Sequence, residues 1–203
     1  MTTGQIPDQL PDGLRKAITW VAALNLAYFG VEFAVAVTIG SVSLFADSID
    51  FLEDTAVNLL ILLALNWRRE HRARLGMLLA LILLAPGIAT LWTAWQKFGA
   101  PVPPAAVPLS LAGLGALAVN LSCALLLARF RHAGGSLTRA AFLSARNDVA
   151  ANVAIIVAGA VTAFTLSVWP DLIVGIGIFV MNLGAAKEVY EAAREEGRTD
   201  AAS

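Results

Sequence analysis

The sequence predicts an all-α integral membrane protein with six transmembrane helices and both termini cytoplasmic. Three observations carry that prediction. Of 203 residues, 58% are hydrophobic and only 14% charged, with a mean hydropathy of +0.73. Soluble domains are about one quarter charged, and a chain of this size has too little interior to hide so much apolar sequence from water. A ruler of roughly 20 apolar residues per bilayer crossing fits the chain six times. Basic residues, which keep their loops on the cytoplasmic side, alternate between the connections.

The elements follow in order. Residues 1–15 are polar, carry Pro7, Pro11 and Gly13, and lack the basic start and apolar run of a signal peptide, so they read as a disordered cytoplasmic tail. Residues 16–190 form one membrane domain. Its spans run from Ala17 to Ile39, Ser43 to Leu65, Leu75 to Trp95, Pro108 to Ala128, Ala140 to Leu166, and Pro170 to Ala186, the last completed if Lys187 snorkels outward. Residues 191–203 are a short cytoplasmic tail, and no C-terminal soluble domain is expected. Arg15 and Lys16 precede span one; Arg68, Arg69, Arg72 and Arg74 follow span two; Arg129, Arg131 and Arg139 separate spans four and five; Lys187, Arg194 and Arg198 end the chain. Of the 14 basic residues, only Lys97 and Arg146 fall elsewhere. Lys97 borders the Pro-rich turn Phe98 to Val107. Trp20, Trp67, Trp92, Trp95 and Trp169 lie near span ends, as interfacial anchors do.

Composition also excludes some functions. A net charge of -1 gives no electrostatic footprint for nucleic acid. The single cysteine, Cys123, excludes an internal disulfide framework and a multi-cysteine zinc site. The two histidines, His71 and His132, fall in cytoplasmic turns and read as solvated loop residues.

What the hydropathy does not explain is acid within the spans. Span two carries Asp47, Asp50, Glu53 and Asp54, span one Glu32, and span five Asp148. A carboxylate at mid-bilayer costs about 2.5–3.5 kcal/mol even on the lenient insertion scale. Arg146, the one base within these spans, cannot neutralise them all. Glu32 taken alone reads either as a neutral acid hydrogen-bonded between helices or as a participant in transport. Asp47, Asp50 and Asp54 are spaced i, i+3 and i+7, one face of a helix that Asn58 continues, while Glu53 points elsewhere. Ser144, Asp148 and Asn152, at i, i+4 and i+8, make a second oxygen-rich stripe on span five.

Helix rise sets the depth of each stripe. Asp50 and Asp54 fall roughly 18 and 12 Å above the cytoplasmic edge, and Asp148 roughly 13 Å above it. Ser144 lies a turn below Asp148, and Asp47 a turn nearer the outside. Three converging carboxylates with hydroxyl and amide neighbours suit a divalent cation. Crowded, desolvated acids hold protons that a metal must expel, so exchange of metal for protons is built into Asp50, Asp54 and Asp148. Alternating exposure turns that exchange into antiport. Gly113, Gly115, Gly159, Gly175, Gly177 and Gly184 allow the close helix contacts of such a bundle, or plain packing.

These segments resemble a known family, the cation diffusion facilitators. The run GSVSLFADSIDFLEDTAVNLL resembles that family's second-helix signature, AAFLSARNDVAANVAIIVAG its fifth, WPDLIVGIGIFVMNLGAAKEVYEAARE its sixth and LNLAYFGVEFAVAVTIGS its first. The likeness covers about Lys16 to Glu196; spans three and four match mainly in hydropathy. It implies a proton-coupled antiporter exporting divalent cations from the cytoplasm, zinc first, with cadmium, manganese and iron also accepted. Carried over by position, Asp50, Asp54 and Asp148 are the metal ligands. Ser144 stands where the family commonly has histidine, which tilts the site from zinc toward oxygen-seeking cations. Asn147 or Asp47 could supply the missing ligand, as could water. Asp47, Asn58 and Asn152 line the same pathway. The resemblance implies no cofactor beyond the transported cation, a bacterial inner-membrane location, and a homodimer through the membrane domain. The family's usual cytoplasmic metal-binding domain is not expected here.

Two alternatives compete. A membrane CDP-alcohol phosphatidyltransferase-like enzyme also uses intramembrane Asp-x-x-x-Asp pairs, but its Asp-Gly-x-x-Ala-Arg run does not precede Asp50. A magnesium or manganese channel would explain the acids without proton coupling.

Overall fold

The computed structural model describes residues 12–64, 88–130 and 135–181, and the side-chain surroundings within 13–62, 88–130 and 144–181. The expectations for residues 1–11 and 191–203, for 75–87 of span three and 182–186 of span six, for Arg68, Arg69, Arg72, Arg74, Arg131, Lys187, Arg194 and Arg198, for the Arg139 side chain, and for His71, His132, Trp67 and Gly184 lie outside these residues; 12–15 of the expected N-terminal tail are described and are helical.

Every described element is helical. In chain order they are α1 (Asp12–Ile39), α2 (Val42–Ala64), α3 (88–99), α4 (Ala106–Ala128), α5 (Gly135–Thr165) and α6 (Trp169–Met181). Among them α1 over Gly13–Ile39, α4, and α5 over Ser144–Thr165 are long and apolar enough to cross a membrane. Helix α2 is 23 residues long but interrupted by its four acids. Helices α1 and α5 start earlier than the predicted spans, at Asp12 and Gly135 rather than Ala17 and Ala140. Helical hydrogen bonding does not stop where the apolar run begins, so hydropathy could not mark those ends.

Helix α1 packs along α2 and α4, and α5 packs along α4 and α2. An apolar cluster of Leu14, Ile18, Val21, Ile61, Cys123, Leu127 and Ala145 fills one end of this four-helix group. A second, including Ala36, Leu44, Leu109, Ala151, Ile155 and Ile178, lies toward the other end. There α3 and α6 join through Val42, Ala94, Val168 and Leu172.

Burial is inverted relative to a soluble protein. Leu111, Leu125, Val157 and Phe164 are exposed, whereas Asn25, Glu32, Asp47, Asn58, Asn120 and Asn152 are buried. Lipid is the solvent that suits such a surface, and the chain is an integral membrane protein. Trp20, Trp92, Trp95 and Trp169 are exposed near helix ends, as interfacial anchors are.

The α1–α2 connection is tight. Gly40 takes φ 64, and Ser41 N–H donates to the Ala36 carbonyl at 3.0 Å, a helix-ending arrangement that favours glycine. Ser41 then caps α2, its Oγ accepting from Leu44 N–H at 3.2 Å. The remaining orphan N–H groups are met from α6. Asp171 accepts from Val42 N at 2.9 Å and Ser43 N at 3.1 Å, and from the hydroxyls of Ser41 and Ser43, both at 2.6 Å. Gly175 permits that approach: a Cβ there would sit 2.7 Å from the Val42 carbonyl carbon. Lys97, predicted only to border a loop, is buried beside Gly40 and donates to the Val102 carbonyl at 2.8 Å. Burial draws its ammonium below the usual lysine range, and the charge of Asp171 partly offsets this.

Candidate metal-transport site

Asp54 is the point at which the helices meet. It lies on the face of α2 turned toward α1 and α5 and is 9% exposed. Across the α2–α5 contact, Ser144 Oγ donates to Asp54 Oδ1 at 3.1 Å. From α1, Asn25 Nδ2 donates to Asp54 Oδ2 at 3.3 Å. Asn25 in turn accepts from the Cys123 thiol of α4, Sγ to Oδ1 3.5 Å. Four helices are thus tied through a single carboxylate.

Asp148 is buried one turn along α5 from Ser144. Asp50, half-buried on α2, lies within Coulombic reach of Asp148, Asp47, Glu53 and Asp54. Ser144, expected a turn below the shared level of Asp54 and Asp148, thus bonds directly to Asp54, and Asp148 stands one turn further along α5. Among the described residues, no three His, Cys, Asp or Glu side chains close to metal-holding distances. The donors on Asp54 account for its part in this: its two oxygens are turned to Ser144 and Asn25. Arg146 is exposed and, among the described residues, forms no ion pair with these acids.

The neighbouring amides behave differently from one another. Asn58 Nδ2 donates back to the Asp54 carbonyl at 2.8 Å, and Asn152 Nδ2 to the Asp148 carbonyl at 2.6 Å. Each is buried, and each keeps an Oδ1 without a partner among the described residues. Asn147, one of the expected alternative ligands, is placed differently from these two. It is exposed, because successive helical residues point about 100° apart and burying Asp148 turns its predecessor away.

Asp47 lies beside Glu32 of α1, both wholly buried. The two carboxyls lie within hydrogen-bonding reach of each other, and no hydroxyl, amide or backbone donor meets either among the described residues. Glu32, expected either as a neutral hydrogen-bonded acid or as a participant in transport, therefore faces another carboxyl. Nearby, Tyr28 packs against Phe51 at 5.1 Å between centroids and donates to the Ala112 carbonyl at 2.6 Å.

Reading the sequence missed Asn25, Cys123 and Asp171. A lone asparagine within an apolar span was a signal for the first. The others gave none, since a buried thiol resembles a small apolar residue and Asp171 looks like an ordinary helix-start acid after Pro170.

The chain matches the model of the cation efflux transmembrane domain over residues 18–196. No curated protein matches it. Members of this family are transporters rather than enzymes and need no cofactor beyond the cation carried, so the lipid-enzyme alternative is not favoured. An all-helical bundle with buried acids, matched over nearly its whole length, belongs to the cation efflux, or cation diffusion facilitator, family of divalent-cation transporters.

Proposed function

We propose that the protein is a proton-coupled antiporter that exports divalent cations, zinc foremost and cadmium, manganese and iron besides, from the cytoplasm. The cation is held by Asp50, Asp54, Asp148 and Ser144. Asp47, Asn58 and Asn152 line its route. The observation that carries this reading is Asp54: a buried carboxylate on α2, bonded across to Ser144 one turn from Asp148 and paired with no base among the described residues.

The chemistry follows from that setting. Ionised carboxylates crowded in a low-dielectric interior without a counter-ion are costly, and protons or a divalent cation relieve the cost. The two compete for the same oxygens, so loading the metal releases protons and reprotonation expels it. Exchange of exposure between the two faces makes this vectorial. We place six spans within residues 16–190, both termini in the cytoplasm of a bacterial inner-membrane protein, and a homodimer contact within the membrane domain.

The test is flux into proteoliposomes for Zn²⁺, Cd²⁺, Mn²⁺ and Fe²⁺, with and without an imposed pH gradient. Wild type should show gradient-driven uptake, and Asp54→Ala should insert normally and show none. Uptake indifferent to the gradient would remove proton coupling, and normal transport by Asp54→Ala would remove Asp54 from the site.

A further inference from the structure

Asn25 is wholly buried at the centre of the bundle, and the site just proposed does not use it. Its Nδ2 faces Asp54, and its Oδ1 faces the Cys123 thiol. With Ser144 on the other oxygen, both oxygens of Asp54 are occupied by neutral donors. A cation that takes Asp54 as a ligand meets the N–H edge of this amide, which repels it. Half a turn about the terminal torsion exchanges Nδ2 and Oδ1 with almost no change in shape. The amino group then faces the Cys123 sulfur, a weak acceptor, and the carbonyl oxygen faces the cation.

We propose that Asn25 is a specificity-determining residue, which turns its carboxamide on loading so that Oδ1 becomes a ligand of the cation held by Asp54. This rests on the transport-site reading above and deepens it. With Asn25, the side chains meeting at Asp54 present only oxygen to the cation, from three helices. Zinc is content with four ligands, whereas manganese prefers six oxygens, so an added amide oxygen benefits manganese more. The share of manganese accepted beside zinc therefore depends on Asn25.

The experiment is equilibrium binding of Zn²⁺ and of Mn²⁺ to the full chain in detergent, for wild type, Asn25→Leu and Asn25→Asp. Asn25→Leu should weaken Mn²⁺ by roughly 10- to 100-fold and Zn²⁺ much less. Asn25→Asp, which keeps an oxygen in place, should restore Mn²⁺ binding. Equal loss of both cations in Asn25→Leu, no change in either, or an Asn25→Asp variant that behaves like Asn25→Leu would overturn the proposal. Wild type that binds neither cation would overturn the transport site together with it, whereas wild type that binds both, with an unaltered ratio in Asn25→Leu, would overturn this inference alone.

Discussion

Asp171 and Asp54 are both buried aspartates of one bundle, and their surroundings differ in kind. Asp171 receives four hydrogen bonds of 2.6–3.1 Å, two of them from the backbone at the start of α2. Asp54 receives two, at 3.1 and 3.3 Å, both from side chains that can turn away. A carboxylate saturated by donors fixed in the backbone is a structural element, because nothing can displace those donors without unwinding a helix end. A carboxylate held only by rotatable neutral groups can be handed to an incoming cation. Donor supply thus separates the structural aspartate from the proposed ligand better than burial does. Asp47 and Glu32 extend the series, since among the described residues only each other's carboxyl is within hydrogen-bonding reach.

The sharpest way to break this contrast is Asp171→Ala. Four donors would lose their acceptor, and stability should fall by about 3–5 kcal/mol, read as a lower melting temperature in detergent. Metal affinity per folded molecule should not change. Weakened binding at an unaltered melting temperature would give Asp171 a part in transport. A smaller loss is expected from Gly175→Val, whose Cβ would meet the α2 backbone at 2.7–2.8 Å, for about 1–3 kcal/mol of overpacking. Gly177→Val, with nothing within 4 Å of its Cβ position, serves as the control and should melt like wild type. Equal melting of the two variants would mean that the α2–α6 contact is not tight. The mildest effect on stability, and the most specific on cations, belongs to Ser144→His. It should leave the melting temperature in place and move the zinc-to-manganese affinity ratio about tenfold toward zinc. An unchanged ratio would show that Ser144 does not touch the cation.

Much of the bundle was legible because lipid imposes a simple rule on sequence. Apolar length placed α1, α4 and α5, and the i, i+3, i+7 spacing placed Asp54 on an inward face. Helix rise put Asp54 level with Asp148 and Ser144 a turn below, whereas the hydrogen bond sets Ser144 itself opposite Asp54. What periodicity could not supply is which side chain of another helix lies opposite. Asn25 is 29 residues from Asp54, and Cys123 a further 98 from Asn25, and nothing local to either marks the contact. Asn147 shows the converse, since adjacency to Asp148 in sequence is divergence around a helix, and its side chain is exposed. Asp171 drew no reading, because an acid after Pro170 looks like part of its own helix start, whereas its carboxylate caps α2.

The cap also turns α2 into a lever. With its first turn clamped to α6 through Asp171 and the close approach at Gly175, the fulcrum lies at Ser43, about 16 Å along the axis from Asp54. A tilt of about 10° about that point would sweep Asp54 through roughly 3 Å, more than the length of a metal–oxygen bond. At the proposed site, coordination can then be made or lost at mid-helix while the clamped end stays where it is.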